Sequence, residues 1–113
     1  MSFKKERLEK IIEREVGTML LGEVKDERLK LVTITKVSLT NDLSIATIYY
    51  RVLGDDAQVE ETSASLNDAK GFIRSSLAKK LEIRKTPELR FKFDTSFEEG
   101  NKIEEILREL NEK

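Results

Sequence analysis

The sequence LNDAKGFIRSSL, residues 66–77, decides how the elements around it are arranged. Apolar residues recur at helical spacing on both sides of it, from about Asp56 to about Ile83. Gly71 interrupts this pattern, at a position where glycine costs about 1 kcal/mol of helix stability relative to alanine. We therefore predict two helices that meet in a kink at Ala69-Lys70-Gly71, where small residues let the two backbones approach closely.

The second helix of this pair needs an apolar side that packs on the rest of the domain. We predict that it ends before Thr86-Pro87, because the residue that precedes a proline avoids the helical conformation. The residues that we assign to its core side are Phe72, Ile73, Leu77 and Leu81.

Three further stretches have the composition of β-strands. Residues 31–38 are rich in β-branched side chains and too short for a stable helix, and residues 43–53 form a second, longer stretch. Thr40-Asn41-Asp42 between them supplies turn chemistry, so we predict an antiparallel hairpin. Residues 89–94 alternate apolar and charged side chains, which is typical of a strand with one buried face. Its predicted core residues are Leu89, Phe91 and Phe93.

Helical patterns also occur near both ends of the chain. The spacing of the apolar residues predicts an amphipathic helix over residues 4–22 that ends at Gly22, and a second one over residues 97–111. Glu15 falls within the apolar side of the first helix, so it either has an internal partner or lies where that side meets solvent; we favour a partner. The order αββααβα, without repeats or linkers, predicts a single α+β domain over residues 1–113.

The composition excludes several classes of function. Cys and His are both absent, which removes disulfides, the common zinc sites and Cys-dependent or His-dependent catalysis. The five glycines form neither a phosphate-binding loop nor a dinucleotide motif. Carboxylate pairs such as Asp55-Asp56 and Glu60-Glu61 are interpreted as solvated surface. We therefore expect no enzymatic activity, no cofactor and no metal site.

The chain also lacks the sequence signals of a membrane or exported protein. No apolar stretch is long enough to span a bilayer. The basic N-terminus is followed by highly charged helical sequence instead of the apolar run of a signal peptide. We therefore expect a cytoplasmic protein.

Charge is distributed unevenly along a chain whose formal net charge is −1. Residues 54–69 carry five negative charges and no positive ones, whereas residues 70–92 carry eight positive and two negative charges. Residues 93–113 carry seven negative and three positive charges, so a block of net charge +6 lies between two acidic segments. This pattern is typical of an RNA-binding surface, but a surface of mixed charge explains it equally well. No single side of a helix holds all the basic residues of the block.

Two adjacent tyrosines belong to opposite sides of the second strand. Tyr49 and Tyr50 must point in opposite directions, because successive side chains of a strand alternate between its faces. We predict that one is buried in the core. The other is interpreted as surface packing in preference to a platform for stacking RNA bases.

Several segments, in a fixed order along nearly the whole chain, resemble the ribosome-binding factor A family, which modifies the type II K-homology fold. Ala69-Lys70-Gly71 is similar to the Ala-x-Gly kink that this family has in place of a GxxG loop. Residues 23–29, EVKDERL, resemble the family's EVKDPRL, with Glu27 where the family has proline. The other matching positions are residues 31–37, Leu43, Ser44, Ala46, Tyr49, Arg74, residues 86–91, Asp94, Ser96, Gly100 and Ile103.

The resemblance implies both a fold and a function. The implied fold is an αββααβ domain of K-homology type II, with a three-stranded sheet packed on helices, and we expect an extra C-terminal helix. The implied function is to bind the free or immature small (30S) ribosomal subunit, near the 5′-terminal helix of its 16S rRNA, and to assist late maturation and rRNA processing, especially in the cold. We expect a monomer that has no DNA or membrane partner.

The resemblance and the basic block together predict which residues meet RNA. The kink at Gly71 sets the angle between the two helices and hence the shape that RNA meets. The residues predicted to neutralise phosphates are Lys70, Arg74, Lys80, Arg84, Lys85 and Arg90, with Lys4, Lys5, Arg7 and Lys10 as a second contact, and the kink residues are Ala69 and Gly71. A different hypothesis makes the chain a non-enzymatic protein-interaction module that docks through its amphipathic first or last helix.

Overall fold

The helices and strands follow one another in the order predicted from the sequence. The computed structural model describes residues 2–81, 83 and 85–96. The elements are α1 (Ser2–Gly22), a 3₁₀ helix (Glu27–Leu31), β1 (Val32–Leu39), β2 (Ile45–Val52), α2 (Asp56–Asp68), α3 (Lys70–Leu81) and β3 (Glu88–Phe93). The αββααβ order of a type II K-homology domain is thus confirmed. The helix predicted at residues 97–111 lies outside the described residues.

A three-stranded sheet in the order β1-β2-β3 organises the domain. β1 and β2 pair antiparallel, as the hairpin pattern predicted, with Val37 opposite Ile48. β2 and β3 run parallel, with Ile48 opposite Phe91. Parallel neighbours need a long crossover, which α2 and α3 provide.

The core lies on one face of this sheet. The buried sheet residues on this face are Val32, Val37, Leu39, Ala46, Ile48, Tyr50 and Leu89. The helices cover them with Ile12, Val16, Met19, Leu20, Leu66, Ile73 and Leu77. The side chains that alternate with the buried ones, such as Thr47, Tyr49 and Lys92, are exposed or half-buried on the opposite face. Within the described part of the chain, all three helices therefore pack on the same face of the sheet.

The prediction that Phe72 belongs to the core is wrong. Phe72 is 51% exposed, whereas Ile73 and Leu77 are fully buried. Because each residue advances by about 100° around a helix, Phe72 lies about a third of a turn away from the row through Ile73 and Leu77. Leu81, four residues after Leu77, is half-buried and packs against the core as predicted.

Ala69 separates α2 from α3, which confirms the predicted helix pair. The Ala69 N–H donates to the Ser65 carbonyl at 3.0 Å, and the Ile73 N–H donates to the Ala69 carbonyl at 2.9 Å. Gly71 follows in the first turn of α3, and beyond its chain neighbours and the backbone of its own helix, a Cβ added there would come within 4 Å of no described atom. Among the described residues, neither steric crowding nor a positive φ therefore requires glycine at this position.

Hydroxyl groups stabilise the charged form of two aspartates at the ends of the strands. The hydroxyls of Thr40 and Ser44 each donate to Asp42 at 2.7 Å in the hairpin turn, and they lower the pKa of its carboxyl to about 2. Beyond β3, the Ser96 hydroxyl donates to Asp94 at 2.6 Å and the Thr35 hydroxyl at 2.7 Å, which lowers the pKa of Asp94 to about 2. Both side chains are therefore negatively charged at neutral pH.

Because the pKa values of Asp42 and Asp94 are lowered in the folded chain, we expect the fold to lose stability in acid. A carboxyl whose pKa is lower in the folded chain than its ordinary value of 3.8 stabilises the fold at any pH above 3.8. This stabilisation is lost as the pH falls from 3.8 through about 2, the pKa in the folded chain. We expect Asp42→Asn to have a lower thermal unfolding midpoint than the wild type at about pH 5. The midpoint of the variant should also fall less than that of the wild type when the pH is lowered from about 5 to about 2.5. The control is Glu60→Gln, on the exposed side of α2. An unchanged drop in Asp42→Asn would contradict this account of the turn.

Candidate nucleic-acid interface

Three adjoining cavities form a groove along α3 and the segment before β3. The first, about 330 Å³, is lined by Lys70, Gly71 and Arg74. The second, about 440 Å³, shares Gly71 and Arg74 and extends to Lys85. The third, about 470 Å³, shares Lys85 and reaches Lys4 in the first turns of α1. We call the surface defined by these five residues the basic groove. It joins Lys4, predicted as a separate contact, to the basic block.

The Arg74 side chain donates two hydrogen bonds to the backbone of the segment before β3, which borders this groove. Its Nε donates to the Pro87 carbonyl at 3.1 Å, and its Nη2 donates to the Thr86 carbonyl at 3.0 Å. These bonds tie α3 to the segment that leads into β3. Because both acceptors are neutral carbonyls, the guanidinium keeps its positive charge and contributes it to the groove.

The basic groove also has acidic residues on its walls. Glu88 lines the first cavity, where it accepts a bond from Arg90 at 3.3 Å. Asp42 lines the third cavity, in its charged form. Four cationic side chains therefore face two carboxylates, one of which is paired with Arg90. The balance of charge in the groove is positive.

Lys80 lies on a different side of α3, against α1. Its ammonium group donates to Glu23 and lies 3.7 Å from Glu15, so the expected partner of Glu15 is Lys80. The bond to Glu23, supported by the two negative charges, raises the pKa of Lys80 above its ordinary value. Before Lys80 could bind a phosphate, it would have to leave two carboxylates.

This arrangement predicts a small structural effect for Lys80→Gln. The substitution removes a partly exposed bridge between α1 and α3, so we expect a modest fall in the urea midpoint of unfolding. We expect its affinity for RNA to fall less than that of Lys70→Gln, whose side chain lies in the basic groove. If Lys80→Gln lost more affinity for RNA than Lys70→Gln, the main RNA-binding surface would lie on the α1 side of α3 and not in the basic groove.

The other predicted contacts are dispersed over the surface. Arg90 lies on the sheet face opposite the helices, with 60% of its side chain exposed. Lys5 donates to Asn41 at 3.3 Å, beside the hairpin turn. Arg7 and Lys10 line a separate cavity between α1 and β1. Arg84 lies outside the described residues. A block that is continuous in the sequence is therefore divided between several surfaces.

The apolar side of α1 is used within the chain itself. Ile12, Val16 and Met19 are fully buried in its core. They are therefore not available to a protein partner, which argues against the interaction-module hypothesis for the first helix. The helix predicted at the C-terminal end lies outside the described residues.

In the part of the chain that the structure describes, no cluster of three acidic residues could hold a metal ion, and no helix is long and apolar enough to cross a membrane.

Comparison with known proteins identifies the family. The family model of ribosome-binding factor A matches residues 4–107. A ribosome-binding factor A of Staphylococcus saprophyticus is 43% identical over 113 residues, which are 100% of this chain and 99% of the relative. A solution structure from Thermotoga maritima matches with a TM-score of 0.70 and 36% identity, covering 81% of this chain and 88% of its own.

A further match connects this fold with a ribosomal complex. It is a homology model of the Thermus thermophilus ribosome binding factor A, fitted into the cryo-EM map of a complex of that protein with the 30S subunit. It matches with a TM-score of 0.66 and 25% identity, covering 79% of this chain and 93% of its own. On the family model and the full-length relative, the chain belongs to the ribosome-binding factor A family.

Proposed function

We propose that this protein binds the free or immature small ribosomal subunit and assists late maturation of that subunit, including 16S rRNA processing. Membership of the ribosome-binding factor A family supports this proposal, as does the Thermus relative that was fitted into a map of a 30S complex. The observation that carries it in this chain is the basic groove, in which Lys4, Lys70, Arg74 and Lys85 line three adjoining cavities.

The proposed mechanism is binding without chemistry. Lys4, Lys70 and Lys85 neutralise phosphates of the rRNA, and Arg74 adds positive charge while it keeps the groove in shape. Gly71 leaves space at the junction of two cavities, so an RNA backbone can come close to α3 there. Binding energy of this kind can favour one conformation of immature rRNA over others, which requires no catalytic group.

The remaining parts of the proposal concern the cellular setting. The whole chain acts as one domain and as a monomer, in the cytoplasm, where ribosomal subunits are assembled. Lys5, Lys80, Arg84 and Arg90, which do not define the basic groove, remain predicted RNA contacts. A role in the cold is consistent with this mechanism, because RNA misfolds into more persistent structures at low temperature, and a binding protein can shift that equilibrium.

Sedimentation of a cell extract through a sucrose gradient tests the proposal. We expect the protein to travel with free small subunits and to be depleted from translating ribosomes, since a maturation factor must leave before translation begins. A parallel gradient at raised salt should release it, because phosphate contacts weaken steeply with salt. Equal amounts on both kinds of particle, or none on either, would contradict the proposed function.

A further inference from the structure

One row of side chains crosses the face of the sheet opposite the described helices. Lys36 on β1, Tyr49 on β2 and Lys92 on β3 are direct neighbours in the strand register. The ammonium group of Lys36 lies 5.5 Å from the centre of the Tyr49 ring, and that of Lys92 lies 6.0 Å from it. We call Lys36, Tyr49, Lys92 and the nearby Arg90 the aromatic row.

The Tyr49 ring is accessible because its neighbour Tyr50 takes the place in the core. Tyr50 is 5% exposed and donates its hydroxyl to Ser63 at 2.7 Å, whereas Tyr49 is only half-buried. A cavity of about 300 Å³ borders the Tyr49 ring between Lys36 and Lys92. The carboxylate of Asp94 lines the same cavity, together with Phe93, Thr95 and Ser96. Beyond its packing against the two lysines, the Tyr49 ring therefore borders a space that a ligand can enter.

The charges of this face favour an anionic occupant. Arg90 and Lys92 are exposed on β3, and Lys36 is exposed on β1. Two carboxylates lie beside these three cations: Glu88 is paired with Arg90, and Asp94, which lines the cavity at Tyr49, is charged and accepts bonds from two hydroxyl groups. Lys36 also lines a second cavity, with Glu6, Glu9 and Glu13. The three cations therefore outnumber the two carboxylates nearest to the Tyr49 ring. A polar, positively charged face with one aromatic ring at its centre does not resemble a surface for an apolar protein partner.

The aromatic ring narrows the occupant to a nucleic acid with unpaired bases. A duplex hides the faces of its bases, whereas a single strand can stack one base on an aromatic side chain. Such stacking is worth about 1–3 kcal/mol per base. An exposed cation–π contact is worth only about 0.5–1 kcal/mol, so a base can replace an ammonium group on the Tyr49 ring. The displaced lysine is then free to bind the adjoining phosphate.

We propose that the aromatic row is a second RNA-binding surface, in which Tyr49 stacks on an unpaired base of single-stranded RNA while Lys36, Lys92 and Arg90 bind its phosphates. This surface rests on the proposed function, because it supplies the same rRNA with a second point of attachment. It also gives a phosphate partner to Arg90, which does not itself line the three cavities of the basic groove.

The test uses the full chain and a fluorescent oligouridine of about 12 nucleotides, within the length that single-strand sites usually bind. We expect Tyr49→Ala to weaken its binding about tenfold, and Tyr49→Phe, which keeps the ring, to bind nearly as the wild type does. The double variant Lys36→Gln/Lys92→Gln should have a shallower salt dependence of oligouridine binding. The slope of the logarithm of the binding constant against the logarithm of the salt concentration should fall by about 1.4, or about 0.7 for each lost phosphate contact. Ultraviolet crosslinking to the same oligouridine should label the peptide that contains Tyr49.

The variants have a folding control and a structural control. Circular dichroism must show the same unfolding midpoint in Tyr49→Phe and in the wild type. Lys70→Gln/Lys85→Gln, in the basic groove, should leave the crosslink at Tyr49 in place. The lysine pair Lys36 and Lys92 keeps the test valid if Tyr49→Ala does not fold, because these side chains are exposed and do not take part in the core.

The outcomes separate this inference from the proposed function. If the protein binds small subunits but Tyr49→Ala and the wild type bind oligouridine equally, the aromatic row is wrong and the proposed function stands. If oligouridine binds and crosslinks at Tyr49 but small subunits do not bind, the aromatic row stands and the proposed function fails. If light scattering instead shows a dimer that Tyr49→Ala dissociates, a second copy of the chain covers this face and the inference is overturned.

Discussion

Lys70→Glu/Lys85→Glu is expected to weaken binding to purified small subunits about 200-fold at physiological salt. Each reversal removes one phosphate contact and adds one repulsion, so the net change at the basic groove is four charges. The logarithm of the binding constant changes by about 0.7 for each phosphate contact per tenfold change in salt concentration. At 0.15 M salt this is about 0.6 logarithmic units of affinity for each charge, and four charges give the stated loss. A filter-binding titration at several salt concentrations measures both the affinity and the slope.

The control for this variant has the same net charge in a different place. Lys25→Glu/Lys30→Glu changes two exposed lysines near the 3₁₀ helix, away from the cavities of the basic groove. We expect it to weaken binding several-fold at most, through the general field of the protein. If the control and the groove variant lost affinity equally, net charge alone would explain the binding and the groove would have no special role.

Gly71→Gln is expected to weaken binding to small subunits more than tenfold while it stabilises the fold. A side chain at this position would extend into the two cavities that share Gly71, so it would exclude an RNA backbone that approaches α3. Outside the backbone of its own helix and its chain neighbours, a Cβ there meets none of the described atoms within 4 Å. Replacing a helical glycine by a good helix former should therefore raise the free energy of unfolding by about 0.5–1 kcal/mol.

A second glycine provides the matched control for Gly71. Gly17 lies in α1, and a Cβ added there also meets no atom within 4 Å. Gly17→Ala and Gly71→Ala should both raise the urea midpoint of unfolding, but only the change at Gly71 should reduce affinity. Wild-type affinity in Gly71→Gln would show that RNA does not come close to this part of α3.

Most of the fold could be predicted from the sequence, because periodicity reports directly on secondary structure. The alternation over residues 89–94 and the helical spacing in α1 each mark an element whose buried side is continuous. The error at Phe72 has the opposite origin, since Phe72 was assigned to the core because it is apolar, although its angle places it about a third of a turn from the buried row. The 3₁₀ helix is too short to leave a periodic signal.

The candidate site was less predictable, because adjacent charges in a sequence diverge in space. Arg90 lies on the sheet face opposite the helices and does not line the cavities of the basic groove. The angle of Lys80 on α3 directs it to Glu15 and Glu23 on the α1 side. Those pairings join residues at least 57 positions apart, and no local pattern reports them. The proximity of Lys4 and Lys85 has the same long-range origin.

Tyr49 shows what a local pattern does and does not contain. Alternation along β2 predicts that Tyr49 and Tyr50 face opposite sides, and the structure confirms it. The lysines on either side of Tyr49 come from two other strands, one antiparallel to β2 and one parallel. Only the register of the sheet brings this row together.

The central claim is that the basic groove is the surface that faces rRNA, and lysine acetylation tests it most directly. Mass spectrometry would compare the acetylation of each lysine in the free protein and in its complex with purified small subunits. The account predicts that Lys4, Lys70 and Lys85 become protected in the complex, while Lys25 and Lys30 react as before. Protection of Lys25 and Lys30, with Lys4, Lys70 and Lys85 still reactive, would contradict it.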